Sequence, residues 1–183
     1  MFVELFGAHH FDIAQWGLGM DESGPLEIIP TADWQSARNG VRLRYENGIE
    51  VVHVSGNGIM FVGKDGVVQV DRGRIKVTIG GRTIEKGDMT LGDQLDGVEK
   101  ELLLGPKAQI YRSADHLDDW LDAIRSRKNS ICDVETGART TTACHLVNLA
   151  YYHGQPMKWN PSREKFGAGI GDPRWLNVAH RAP

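Results

Sequence analysis

The stretch Val41-Arg42-Leu43-Arg44-Tyr45-Glu46-Asn47-Gly48-Ile49-Glu50-Val51-Val52-His53-Val54 decides the fold class. Val41, Leu43 and Tyr45 alternate with Arg42 and Arg44, the two-residue period of a strand that turns one face to a core. Asn47-Gly48 is a hairpin dipeptide, and Ile49 to Val54 returns as the partner strand. Outward from there, strands are expected at Ile59 to Val62 and, past the Asp65-Gly66 turn, at Val67 to Val70. From Pro25 to about Ile79, turn residues recur at the spacing of an antiparallel meander.

Helical patterns flank this β run. Before it, Ile13, Trp16 and Met20 fall at i, i+3 and i+7, one face of a helix that Gly17 and Gly19 would end. His9 and Asp12 then occupy neighbouring positions of its first turn. After it, Ser113 is a candidate N-cap, with Asp115, Asp118 and Asp119 at the positive helix end. Leu117, Trp120, Leu121 and Ile124 form the stripe of that helix, and Arg125, Arg127 and Lys128 close it. A third helix is expected from about Gly137 to Tyr152, with Ala143, Val147 and Ala150 on one face and Leu146 and Leu149 beside them. Gly80 to Gly105 reads as a glycine-punctuated loop with one short strand. The tail, with Pro156, Pro161, Pro173 and Pro183, reads as extended with brief helical turns, Asp172-Pro173 being an N-cap followed by proline. Grouped strands and grouped helices predict an α+β fold, a mostly antiparallel open sheet with helices packed on one face. Arg42 and Arg44 make the other face mixed in polarity, so a dimer through it is compatible with the pattern.

At 183 residues, positions 1–183 are expected to form a single domain, with no room for both a nucleotide-binding and a catalytic domain. Hydrophobic residues are 40% and charged residues 25%, which excludes a disordered chain. Twenty-one basic against 24 acidic residues give a net charge of -3, which argues against nucleic-acid and membrane partners, both of which need a dense positive patch. Cys132 and Cys144 cannot build a disulfide framework. With no long apolar run and no signal-peptide pattern, a cytoplasmic location is expected.

Gly167-Ala168-Gly169-Ile170-Gly171 is a near miss of the dinucleotide fingerprint, without a preceding strand or a βαβ unit. No P-loop, nucleophile elbow or H-E-x-x-H motif is present. The densest reactive cluster is His9, His10 and Asp12, for which three readings stand open: a general base with a supporting carboxylate, a metal site, or a structural helix start. Adjacent helical residues point about 100° apart, so His9 and His10 do not readily share a metal with Asp12, and that reading is the weakest. Histidine suits proton transfer near neutral pH. Elsewhere, His116 is expected to be partly buried at a helix start, His145 and His153 structural, Trp120, Trp159 and Trp175 core or docking residues, and Cys144 a packing residue.

Gly7-Ala8-His9-His10-Phe11-Asp12-Ile13-Ala14-Gln15-Trp16, continuing through Gly19-Met20-Asp21 to Ser23-Gly24-Pro25, resembles the start of the C-terminal domain of the Gfo/Idh/MocA oxidoreductases, in a subgroup with a GAHHxDIAQW signature. The likeness continues in His116 to Trp120 and Arg125-Ser126-Arg127-Lys128, then in Thr141 to Ala150 and Lys158-Trp159-Asn160-Pro161. It implies an α+β domain whose sheet forms the substrate side and commonly the oligomer interface, coupled in the complete enzyme to a Rossmann domain that binds NAD or NADP. It also implies oxidation or reduction of hydroxyl groups on small polyols, sugars and cyclitols, by a homo-oligomer. The family's D-x-x-x-H pattern places the general base at His9, with His10 and Asp12 as site neighbours. Two features depart from it: Leu5 stands where the family has aspartate, and the lysine of the E-K-P motif has no counterpart. The chain is therefore expected to be the substrate-side and oligomerisation domain of an oxidoreductase, a fragment without its Rossmann domain, with no cofactor site and no hydride transfer alone. Leu5 supports the alternative of a stand-alone, non-catalytic binding module. A metal-dependent hydrolase or lyase on His9, His10 and Asp12 is the third reading.

Overall fold

A computed structural model describes residues 5–56, 58–71, 73–87 and 115–177. In chain order its elements are α1 (Leu5–Leu18), β1 (Glu27–Ile29), β2 (Arg42–Arg44), β3 (Glu50–Val52), β4 (Ile59–Val62), β5 (Gly66–Asp71), β6 (Arg74–Ile79), β7 (Arg82–Lys86), α2 (His116–Ser126), α3 (Val134–His153), β8 (Met157–Asn160) and β9 (Lys165–Phe166), with a 3-10 turn at Pro173–Leu176. The expected α+β class holds, and every strand pairing among these residues is antiparallel. The strands form two open sheets, one in each of two compact units, Met1–Ser55 with Cys132–Pro183 and Gly56–Ile131.

The first unit holds a sheet of order β3-β2-β1-β8-β9. Val41, Leu43 and Tyr45 are buried, as their alternation predicts. Between them, Arg44 reaches Glu27 at 2.8 Å and Glu50 at 2.7 Å, and Arg42 lies 3.7 Å from Glu50, so the outer face is a lattice of opposite charges. The hairpin turn spans Tyr45 to Gly48, whose N–H donates to the Tyr45 carbonyl at 3.0 Å; Gly48 closes it at φ +79°, a conformation glycine adopts freely. The tail supplies a strand that its prolines hid. In β8, Met157 and Trp159 turn inward while Lys158 stays outside, and Met157 pairs with Ile28 of β1.

Helix α3 starts at Val134 rather than Gly137, because the Asp133 carboxylate accepts from the Thr136 N–H at 3.0 Å and satisfies one of the free donors of the first turn. It ends at Gly154, at φ +60°, whose N–H donates to the Ala150 carbonyl. Ala143, Leu146, Val147 and Ala150 are buried against Ile28, Leu43, Met157 and Trp159, the core of this unit. Each large apolar side chain buried there contributes about 2 kcal/mol.

Helix α1 departs from its expected face. Phe11, Ala14 and Gln15 are buried, with Ala8 and Met20 packed alongside, whereas Ile13 is 39% and Trp16 46% exposed. Both stripes satisfy helical periodicity. The buried one includes Gln15, whose polarity concealed it; its Oε1 accepts the Tyr45 hydroxyl at 3.1 Å, while its Nε2 is buried without a hydrogen-bond partner among the described residues. The chain is already helical at Leu5, the first described residue, so His9 lies beyond the first turn of α1.

In the second unit, β4 to β7 form the expected meander. The register places Ile59, Phe61, Val68, Val70, Ile75, Val77 and Ile84 on one face, and Ile75 and Val77 are its buried centre. The opposite face carries the Lys76–Glu85 ion pair at 2.9 Å and the Thr78–Thr83 hydroxyl pair at 2.9 Å. The short strand expected beyond Gly80 is β7, joined to β6 through Gly80 and Gly81, both at positive φ; residues 88–105 of that loop lie outside the described residues. Helix α2 is capped by Asp115, which accepts from Leu117 and Asp118 N–H groups at 2.7 and 3.2 Å. Those two bonds hold its carboxyl below the usual range, and Ser113 lies outside the described residues. The stripe of Leu117, Trp120, Leu121 and Ile124 is exposed, and so is His116. Neither Trp120 nor His116 is a core residue, because α2 buries no side chain.

Candidate functional site

Helix α1 carries all three residues of the reactive cluster. His9 is exposed, and His10 and Asp12 are half-buried. At about 100° per residue, Asp12 stands beside His9 one turn on, while His10 is rotated to the other flank. The helix therefore brings His9 and Asp12 to one side and turns His10 away from both.

Asp12 is anchored from α3. The Thr140 hydroxyl donates to Asp12 Oδ1 at 3.1 Å, and Thr140 itself is buried. The two residues are 128 positions apart, so local spacing could not reveal the bond. The surroundings are acidic. Burial, then Asp12 and Glu22, push the Asp21 carboxyl up, and Asp21 Oδ1 is buried without a hydrogen-bond partner. Burial raises the Cys132 thiol too, followed by Asp12, Asp133 and Asp21, which keeps it protonated and a poor nucleophile.

A second polar group escaped sequence reasoning. His53 Nδ1 lies 2.7 Å from the Tyr151 hydroxyl, and the imidazole stacks on Phe11 with ring centroids 6.4 Å apart. Burial pushes His53 below its ordinary value of 6.5. The alternation after Asn47-Gly48 was the available signal, since it carries His53 to the end of an edge strand.

The remaining candidates separate. Cys144 is buried in the core and its thiol is pushed up to about 11 by burial, consistent with packing. His145 is exposed on α3 and holds no core position, contrary to the structural role expected for it, because the inward stripe of α3 runs through Cys144, Leu146 and Val147. His153 does have a packing role: it stacks on Trp175 at 4.0 Å between centroids. Trp159 is in the core and Trp175 docks at its edge.

Among the described residues no group of three or more His, Cys, Asp or Glu side chains is placed to hold a metal. No helix of theirs is long and apolar enough to cross a membrane. All strand pairings among the described residues are antiparallel, so they contain no parallel βαβ unit of the kind that seats a dinucleotide pyrophosphate at a helix N-terminus.

No family model and no curated protein matches the sequence. Solved structures do match the fold. An aldose-aldose oxidoreductase from Caulobacter crescentus, complexed with glycerol, is similar over 83% of this chain and 45% of its own, with a TM-score of 0.54 and 14% identity. UDP-N-acetylglucosamine 3-dehydrogenase from Acidithiobacillus ferrooxidans is similar over 81% of this chain and 46% of its own, with a TM-score of 0.52 and 17% identity. A Thermotoga maritima protein assigned as an oxidoreductase gives 82%, 44%, 0.51 and 16%. The chain spans less than half the length of these three structures. Over the covered part its α+β fold is similar to theirs.

Proposed function

We propose that this chain is the substrate-side and oligomerisation domain of an oxidoreductase acting on a hydroxyl group of a sugar, cyclitol or similar small polyol. The observation that carries the reading is the placement of His9, exposed on α1 and one turn from an Asp12 that Thr140 holds in place. His9 is the general base: its neutral ring nitrogen accepts the hydroxyl proton as the carbon is oxidised, and Asp12 and His10 are site neighbours. The two named sugar-acting structures that share the fold support a substrate of this class. NAD or NADP, which the family resemblance implies, finds no parallel βαβ unit among the described residues, so the hydride acceptor is assigned to another domain and the chain alone is inactive.

Assembly through a sheet face completes the reading. The outer face of the first sheet, mixed in polarity through Arg42 and Arg44, is the face left for a second copy, whose charges would have to pair with it on contact. Sedimentation that finds only monomer at high concentration would remove this part. The experiment for the whole is calorimetric titration with NAD(H) and NADP(H): no binding is expected, and a micromolar dissociation constant would refute the assignment of the cofactor elsewhere. Leu5, in place of the family aspartate, favours a non-catalytic binding module as the second reading.

A further inference from the structure

Helix α2 presents an apolar face to solvent. Leu117 is 59%, Trp120 56% and Ile124 45% exposed, Leu121 lies between them, and the helix buries no side chain. An isolated helix of fewer than about 12 residues is marginal in water, and most helical stability in a protein comes from burying the amphipathic face. The 11 residues of α2 are held by polar bonds instead. Asp115 caps the first turn, and the Ile131 N–H donates to Asp119 Oδ2 at 3.4 Å. A contiguous apolar patch with an aromatic side chain at its centre marks a protein interface.

The charge pattern selects the occupant. Asp115, Asp118 and Asp119 lead α2, and Arg125, Arg127 and Lys128 close it. A second copy laid antiparallel brings the acidic end of each helix to the basic end of the other and opposes the two helix dipoles, whereas a parallel copy would set like charges side by side. The match extends to single residues. At about 100° per residue, Asp118 and Arg125, seven positions apart, share one flank of the stripe to within about 20°. A two-fold axis at the Leu121–Asp122 step sets Asp118 of one copy beside Arg125 of the other and repeats the pair by symmetry, with Trp120 and Leu121 meeting at the centre. Arg125 Nη1 also reaches Asp122 at 3.1 Å within its own helix, and the guanidinium has further donors for a second carboxylate. We propose that α2 is a homodimerisation helix, its Leu117, Trp120, Leu121 and Ile124 stripe packed antiparallel on the same stripe of a second copy, with an Asp118–Arg125 pair at each end. So short a seam belongs with the weak, transient interfaces. It lies in the second unit and shares no residue with the outer face of the first sheet, so either contact can fail without the other.

The test is sedimentation velocity of the intact chain over a concentration series into the millimolar range, beside the exposed changes Trp120→Ala, Asp118→Lys and Arg125→Glu. Trp120→Ala removes the central anchor and should weaken self-association about 30-fold. Each charge reversal sets like charges opposite one another at both ends and should weaken it about fivefold. In an equimolar mixture of the Asp118→Lys and Arg125→Glu chains both pairs are again of opposite charge, so the mixture should associate more tightly than either variant alone. Three outcomes overturn the proposal. The first is an unaltered chain that stays monomeric throughout, which would leave the α2 face to a different partner. The second is association that Trp120→Ala leaves unchanged, the result that assembly through the first sheet alone would give. The third is a mixture that associates no more tightly than its components.

Discussion

The Thr140 hydroxyl donates to Asp12 Oδ1 at 3.1 Å, joining the inner face of α3 to the flank of α1 that carries the candidate base. Replacing Thr140 with valine keeps the shape and leaves the half-buried carboxylate without that donor. The expected cost is about 1 kcal/mol of stability in urea denaturation. Sugar binding at His9 should weaken as well, since Asp12 would no longer be fixed beside it. Unchanged stability and unchanged binding would show that the bond has no positioning role.

His53 gives the fold a pH dependence of definite sign. Burial lowers its pKa from 6.5, so below that value the unfolded chain binds a proton that the folded chain resists. Stability is therefore complete above the unfolded value and is lost as the pH falls through it toward the folded one. Denaturation midpoints should drop between about pH 7 and pH 5, and His53→Gln should flatten that part of the curve. A rise on acidification would reverse the sign and contradict the burial.

Two glycines of one helix should respond in opposite directions. Gly154 sits at φ +60°, and a Cβ there would collide with the Trp34 ring, so Gly154→Ala should destabilise by about 2 kcal/mol. Gly137, inside α3 with open space around it, should gain about 0.5–1 kcal/mol as alanine. Thermal unfolding of the two variants side by side checks the pair.

Core substitution offers a calibration. Leu146 is buried between α3 and the first sheet, and Leu146→Ala should cost about 3 kcal/mol by leaving a cavity. Leu117→Ala, on the exposed stripe of α2, should cost under about 1 kcal/mol in the same denaturation assay.

What the sequence disclosed follows from the range of the forces involved. The alternation of Val41, Leu43 and Tyr45 and the stripe of α3 report local burial, and both appear as expected. Helix α1 shows where period fails: Ile13 and Trp16 look like a core stripe, yet Phe11 and Gln15 occupy the interior, because Gln15 finds the Tyr45 hydroxyl 30 residues away. Strand β8 was hidden for a related reason, its pairing with β1 being a contact across most of the chain. At the candidate site, His9 and Asp12 were visible as neighbours on one helix. Thr140 was not, since only the tertiary packing of α3 against α1 brings its hydroxyl to Asp12, 128 residues away.

The most direct test of the account follows the His9 imidazole by nuclear magnetic resonance while an aldose is added to the intact chain. The account predicts a saturable shift of the His9 ring protons, no shift at the exposed His145, and loss of the effect in His9→Ala. A His9 ring indifferent to aldoses and cyclitols alike, with any sugar affinity unchanged in His9→Ala, would contradict it.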